Sequence, residues 1–271
     1  MGNLIVFWSP WHGQAKVTAS MGALGVQLNR VSGESVVMTH SQFDMADLEG
    51  MFNRLDEDKR KLLYMNSGLS AAIMRFKQQK LTAEMIGQCM VPLTSTGLFL
   101  LPGTEQSAAV AQETEISAIV HTLLARDIPG YYDWTLVDVL SGNNPLSLQL
   151  IDAADVVVVT LSQNTATWEK HFENQSGISG RENIFYLLGG YDPFSKNSVK
   201  KYSRAYGIPE ERVGVVPYCV GYMDAISAGT AAQFHFFNES AKKKDENYLF
   251  VKECRKTAEK IKAFTEGRKN V

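Results

Sequence analysis

The 271-residue chain is long enough for one large α/β domain or two smaller ones. With 45% hydrophobic, 10% aromatic and 21% charged residues it has the composition of a folded globular protein, which excludes disordered, collagen-like and coiled-coil classes. Its 27 Lys and Arg against 29 Asp and Glu leave a net charge of -2, so a nucleic-acid partner is not expected.

Apolar runs alternate with stretches of helical period in the β-α-β-α order of a mostly parallel sheet with helices on both faces. Residues 4–8 (LIVFW) read as a buried strand, and a helix over 16–29 follows with Val17, Met21, Leu24 and Leu28 on one face, ended by Gly33. Residues 35–39 are the second strand, and 55–79 a long helix or a helix pair interrupted near Gly68. A third strand at 97–101 is closed by Pro102-Gly103. A helix over 106–126 leads through Ile128-Pro129-Gly130 to a strand at 134–139 and a short helix at 146–153. The unbroken β-branched run at 156–160 (VVVVT) predicts a strand buried on both faces at the sheet centre. A helix from 166, a strand at 184–188, a helix at 196–206 and a strand at 213–216 follow. No repeat or low-complexity linker divides the chain, so one domain over 1–271 is expected.

The tail, 241–271, carries ten Lys and Arg against five Asp and Glu, so the first 240 residues carry -7. Tyr248, Val251, Cys254, Ala258 and Ile261 fall on one face of a basic amphipathic helix. Such a helix either packs on the sheet or contacts a partner or an anionic membrane. Cys89, Cys219 and Cys254 lack metal or CxxC spacing and read as reduced thiols. The first residues carry no signal-peptide pattern, no run of about 18 apolar residues occurs, and Val6 stands where myristoylation needs Ser or Thr. A cytoplasmic protein is expected.

The segment SPWHGQAKVT (residues 9–18) joins the first strand to the first helix. A loop in that position offers free backbone N–H groups and the positive end of the helix dipole to an anion, and Lys16 adds a point charge. The pattern GxxxxGK[ST] is not met: Pro10, Ala15 and Val17 stand at its first Gly, last Gly and Ser/Thr. His12 could donate to a phosphate but has no paired carboxylate in sight, and His40, His121, His171 and His235 share no metal spacing. Trp8 reads as core, while Trp11 is a candidate for stacking at a dimer interface.

The same segment resembles the deviant P-loop SPKGGVGKTT of the ParA/MinD ATPases, with Ser9, Pro10, Gly13, Lys16 and Thr18 matching. Further stations resemble that family in its order: GLFLLPGT (97–104), DWTLVD (133–138), LGGYDP (188–193) and VGVVPY (213–218). The resemblance spans residues 3–230 and implies a three-layer P-loop NTPase fold. It assigns His12, Gly13, Gln14, Ala15, Lys16, Val17 and Thr18 to ATP or ADP, Asp138 to Mg²⁺ through water, and Gly142 to the switch turn. Gly189, Tyr218 and Cys219 stand where the base is bordered, although Gly189 replaces the usual Asn. Gln42-Phe43 and 188–193 look most like the TadZ/CpaE branch, which localises and helps assemble Tad (Flp) pilus machinery at a cell pole. The P-loop strand begins at residue 4, so that branch's receiver-like domain is not expected ahead of it.

Departures from the family bear on turnover. Trp11 replaces the signature Lys and cannot donate a charge-assisted hydrogen bond, and Val17 replaces the Mg²⁺-binding Thr. Thr18 lies one position late and is expected to point elsewhere. The second strand ends in Met38 and His40 where the family has aspartates, with Asp44 or Asp47 as substitutes only in a shifted register. Asp138 reads either as a metal ligand or as a buried cap of the Gly142 turn. The leading expectation is a dimeric localisation or assembly factor for a pilus or secretion system with weak or no ATP hydrolysis. Alternatives are a working Mg²⁺-dependent ATPase of the same type and a binding module for another small ligand or a protein.

Overall fold

The structure is a computed structural model that describes residues 1–42, 48–54, 56, 58, 63, 67–79, 81–104, 114–173 and 177–269. Strand β1 (Asn3–Trp8) leads into helix α1 (Val17–Ser32), strand β2 (Val36–His40) and the short helix α2 (Leu48–Phe52). Helices α3 (Gly68–Gln78) and α4 (Ala83–Gly87) precede β3 (Val91–Pro92) and β4 (Leu98–Leu100). Helix α5 (Thr114–Thr122) runs on into a π turn at Leu123–Asp127, followed by β5 (Trp134–Asp138) and α6 (Pro145–Ala153). Next come β6 (Val156–Leu161), α7 (Thr165–Glu173), β7 (Ile184–Tyr191), α8 (Val199–Tyr206) and β8 (Val213–Pro217). Helices α9 (Val220–Ala228), α10 (Ala231–Phe237) and α11 (Tyr248–Lys269) complete the described chain.

The strands form one sheet in the order β3-β4-β2-β5-β1-β6-β7-β8. Every pairing is parallel except β3 with β4 at one edge. Alternation along β1 divides the core. Leu4, Val6 and Trp8 pack with Leu69, Leu123, Leu150 and Trp168 on one face, while Ile5 and Phe7 pack with Leu24, Tyr222 and Phe250 on the other. The β6 run is buried throughout, as its sequence predicts for a strand covered on both sides.

The tail helix spends its apolar face inside this fold. Phe250, Val251, Cys254, Ala258 and Ile261 are buried, and α11 packs against α1 and β8. The face a bilayer would take is therefore occupied by the sheet. Among the described residues no helix is long and apolar enough to cross a membrane. All three cysteines are free and buried, and burial pushes each thiol up from its ordinary pKa.

The short elements α2, α4, β3, α9 and α10 were not predicted. Each spans nine residues or fewer, too little chain for a periodic signal. Of the stretch predicted helical over 55–79, most of 55–66 lies outside the described residues, and α3 starts at Gly68, at a left-handed φ of 75° that glycine adopts without strain. The helix predicted from 106 is described only from Thr114 onward.

The loop after β1 and the Asp138 cluster

Between β1 and α1 the chain crosses the carboxyl end of the sheet. Pro10 lacks an N–H, and the amides of His12 to Lys16 make no hydrogen bond to the described residues, so they remain available to a ligand. His12, Gly13 and Gln14 are exposed, while Ala15 is buried against β7. The contact is so close that a Cβ at Gly189 would collide with the Ala15 carbonyl oxygen.

Lys16 is the N-cap of α1 at φ 52°, ψ 46°, the one non-glycine residue with positive φ among the described residues. For an L-residue with a side chain that conformation costs about 1–2 kcal/mol. It delays the helix by one position. The first intrahelical bond runs from Ser20 N–H to the Lys16 carbonyl, 3.0 Å, and the first helical residue is Val17. As a result Thr18, expected to point elsewhere, turns its hydroxyl toward β5 and donates it to Asp138 Oδ2. A hydroxyl thus does stand beside Asp138, supplied by Thr18 and not from Val17's position. The Lys16 side chain leaves in another direction, over Gly190, with Nζ 5.5 Å from the Tyr218 ring centroid.

Asp138 ends β5 and is fully buried. Burial pushes its carboxyl up from 3.8 to about 6, although Thr18, His40, Gln42 and His12 all favour the charged form. Gln42 faces the carboxyl without reaching bonding geometry, and Oδ1 has no hydrogen-bond partner. The following turn is tied to the loop base: Gly142 N–H donates to Ser9 O at 3.1 Å, and Trp8 Nε1 donates to Gly142 O at 3.0 Å. Trp8 is core, as expected, and Trp11 is partly buried against the core.

A buried histidine–glutamate pair adjoins Asp138, and the sequence did not reveal it. Strands β2 and β5 pair in register with His40 beside Asp138, and Ser41 N–H donates to the Asp138 carbonyl at 3.0 Å. His40 Nε2 donates to Glu49 Oε1 at 2.9 Å, and Gly103 N–H donates to the same oxygen at 2.7 Å. Both side chains of the pair are 3% exposed. Burial alone would lower the His40 pKa, but the Glu49 charge and hydrogen bond, with help from Asp138, hold it above its ordinary value. Burial likewise opposes ionisation of Glu49, and His40 with the Gly103 amide outweighs it, so the Glu49 pKa is lowered. Each partner thus favours the charged form of the other. Asp44 and Asp47, the candidate substitutes, lie outside the described residues.

At the far side of the loop Tyr218 is half exposed, with its N–H on the Tyr191 carbonyl at 2.9 Å. Cys219 is buried and donates its thiol to Asn247 Oδ1 at 3.3 Å. Among the described residues no group of three His, Cys, Asp or Glu side chains is arranged to hold a metal ion. The other described histidines stand apart: His171 lies in the α7 aromatic cluster, and His235 is bonded to Gln27 Nε2 at 2.9 Å.

No protein-family model matches the sequence, and no curated protein does. Solved structures match over almost the whole chain. A ParA family ATPase from Chlorobium tepidum superposes with a TM-score of 0.69 at 13% identity, covering 95% of this chain and 99% of its own. The cell division ATPase MinD of Pyrococcus furiosus gives 0.66 at 16%, covering 97% and 99%. The fold is that of the ParA/MinD ATPases. A third example, the septum site-determining protein MinD of Pyrococcus horikoshii complexed with Mg-ADP, gives 0.63 at 14%, covering all of both chains. In this ParA/MinD fold the loop and Asp138 share the carboxyl ends of neighbouring central strands, where open α/β sheets form their ligand crevice.

Proposed function

We propose that the protein binds ATP or ADP at His12, Gly13, Gln14, Ala15, Lys16, Val17 and Thr18, turns it over slowly or not at all, and acts as a dimeric localisation or assembly factor. The observation that carries the reading is the Thr18–Asp138 hydrogen bond beside a run of free loop amides. Backbone amides at a helix N-terminus suit phosphate oxygens, and a buried carboxylate with one oxygen unpartnered suits a cation. Mg²⁺ fits these residues. Asp138, through water, and the Thr18 hydroxyl would hold it, and it would neutralise phosphate charge there. The horikoshii MinD complexed with Mg-ADP supports the assignment by fold.

Slow turnover follows from the groups around that site. β2 ends on His40, already committed to Glu49, so among the described residues this strand end offers no uncommitted carboxylate to orient an attacking water. Trp11 brings no charge to a neighbouring subunit's phosphate, and Lys16 is directed at Tyr218. Tyr218 and Cys219 border the base through their backbone groups in this reading, as do backbone groups near Gly189, and Gly142 couples the β5 turn to the loop. A homodimer and components of a pilus or secretion machine are the proposed partners, on the TadZ/CpaE-like segments at 42–43 and 188–193. One domain over 1–271, in the cytoplasm and gathered at a pole through those partners, belongs to the same proposal. Any membrane contact of α11 falls to its lysine face, since its apolar face is buried.

The Thr18–Asp138 pair also favours a second reading, a working Mg²⁺-dependent ATPase. Calorimetry with ATP and ADP, with and without Mg²⁺, on wild type and Lys16→Ala, combined with phosphate release, separates the two. Binding that Lys16→Ala weakens, with release at background, supports the proposal; a clear Mg²⁺-dependent rate transfers the assignment to the ATPase. Absence of binding in wild type refutes both.

A further inference from the structure

We propose that Tyr218 and the Gly189-Gly190 pair form a resting station for the Lys16 ammonium, and that this station competes with an anionic ligand for Lys16. The proposal rests on the nucleotide-binding reading above. Its physical basis is a continuous contact from the loop to the end of β7. Ala15 presses its carbonyl on Gly189, and Lys16 is left-handed. Gly190, at φ 65° where the β7–β8 register shifts, has no side chain in the way. Lys16 Cδ and Cε run 3.1 and 3.3 Å from where a Cβ at 190 would stand. That trough ends at the Tyr218 ring, whose backbone is fixed to Tyr191 across the two strands. Nζ at 5.5 Å from the ring centroid is within cation–π range.

A lysine resting there has its ammonium engaged by the Tyr218 ring. To meet a phosphate bound on the open amides of residues 12 to 16 the ammonium must leave the ring. Occupancy of the loop and occupancy of the resting station therefore draw on the same side chain, and the apparent affinity falls by the fraction of molecules in which Lys16 is held. Tyr218 is in this view a positioning residue acting through Lys16, which reverses the sign of its effect relative to a base-stacking residue.

The test uses the full chain with its lysines reductively ¹³C-dimethylated, which keeps their charge, with the Lys16 resonance assigned by its absence in Lys16→Ala. Wild type is expected to show an upfield ring-current shift of Lys16, lost in Tyr218→Leu and kept in Tyr218→Phe. Calorimetry of unmodified proteins with ADP is expected to give a Kd about two- to fivefold tighter for Tyr218→Leu, the range of an exposed cation–π contact. In the Lys16→Ala background Tyr218→Leu should no longer tighten binding. An unshifted wild-type resonance overturns the contact itself. Weaker or unchanged ADP binding in Tyr218→Leu overturns the competition. A shifted resonance in a wild type that binds no ADP removes the nucleotide-binding reading and the competition, while the Lys16–Tyr218 contact stands.

Discussion

Thr18 donates its hydroxyl to Asp138 across 120 positions of sequence, and this bond is the only one the Asp138 carboxylate accepts among the described residues. The folded chain thus keeps a buried carboxylate whose pKa burial has pushed up to about 6. Because the folded value lies above the ordinary 3.8, the charged form is penalised by folding. Stability on this account declines as pH rises from 3.8 to 6, by about 3 kcal/mol in all. Asp138→Asn, which keeps an acceptor for Thr18, is expected to be about 1–3 kcal/mol more stable than wild type at pH 7.5. The gap should narrow by pH 4.5. Urea denaturation at both pH values checks this, and an Asn variant less stable at pH 7.5 would refute it.

The His40–Glu49 pair predicts a coupled loss. Glu49→Gln removes the buried carboxylate that pairs with His40 and should destabilise by about 3–5 kcal/mol. Gly103→Ala would drive a Cβ into the His40 ring and should disrupt the same pair. The double variant is then expected to lose less than the sum of the two, by more than about 0.5 kcal/mol. Strict additivity in chemical denaturation would separate the two contacts.

Gly189→Ala should abolish ADP binding, since the new methyl meets the Ala15 carbonyl and forces the loop away from β7. Gly180→Ala is its control, because a Cβ there meets nothing within 4 Å. Equal ADP affinity in both variants would show that the loop does not need its seat on β7.

His235 predicts a pH-dependent loss of stability. Burial, assisted by the Arg30 charge, lowers its pKa from 6.5 to about 3, so between those values the unfolded chain binds a proton that the folded chain refuses. Stability on this account is complete above pH 6.5 and about 2 kcal/mol lower at pH 5. In His235→Gln the loss between pH 7 and pH 5 should be smaller than in wild type by about that amount. Identical pH profiles would exclude His235 as the cause.

The central strands were legible because apolar runs such as VVVVTL have no other stable use than a doubly covered sheet. Their alternation with helical stretches specifies the fold class. The one-residue delay of α1 was not legible, because no motif flags a lysine in the left-handed region where glycine, asparagine or aspartate would. That delay decides which side chain reaches Asp138 and where Lys16 goes. The His40–Glu49 pair was hidden for a different reason: it depends on a five-residue helix docking over a strand end, a tertiary event without local pattern. A signal did exist in the polar residues closing two apolar strands, VVMTH and WTLVD, which parallel pairing sets side by side.

The two margins of the sheet are finished differently. One ends on the two-residue antiparallel β3, where Pro92 has no amide to offer a visiting strand. At the other, Thr257 Oγ1 accepts from Val215 N–H at 3.0 Å and donates to the Val215 carbonyl at 2.8 Å, while Lys260 Nζ donates to the Val213 carbonyl at 2.7 Å. The outward peptide groups of β8 are thereby quenched by side chains of the tail helix. Among the described residues neither rim presents a run of free strand amides, so copies of the protein would resist polymerising through their sheets. Clipping α11 at residue 247 would uncover both the β8 rim and the apolar face that α11 packs on, and the truncated chain should associate.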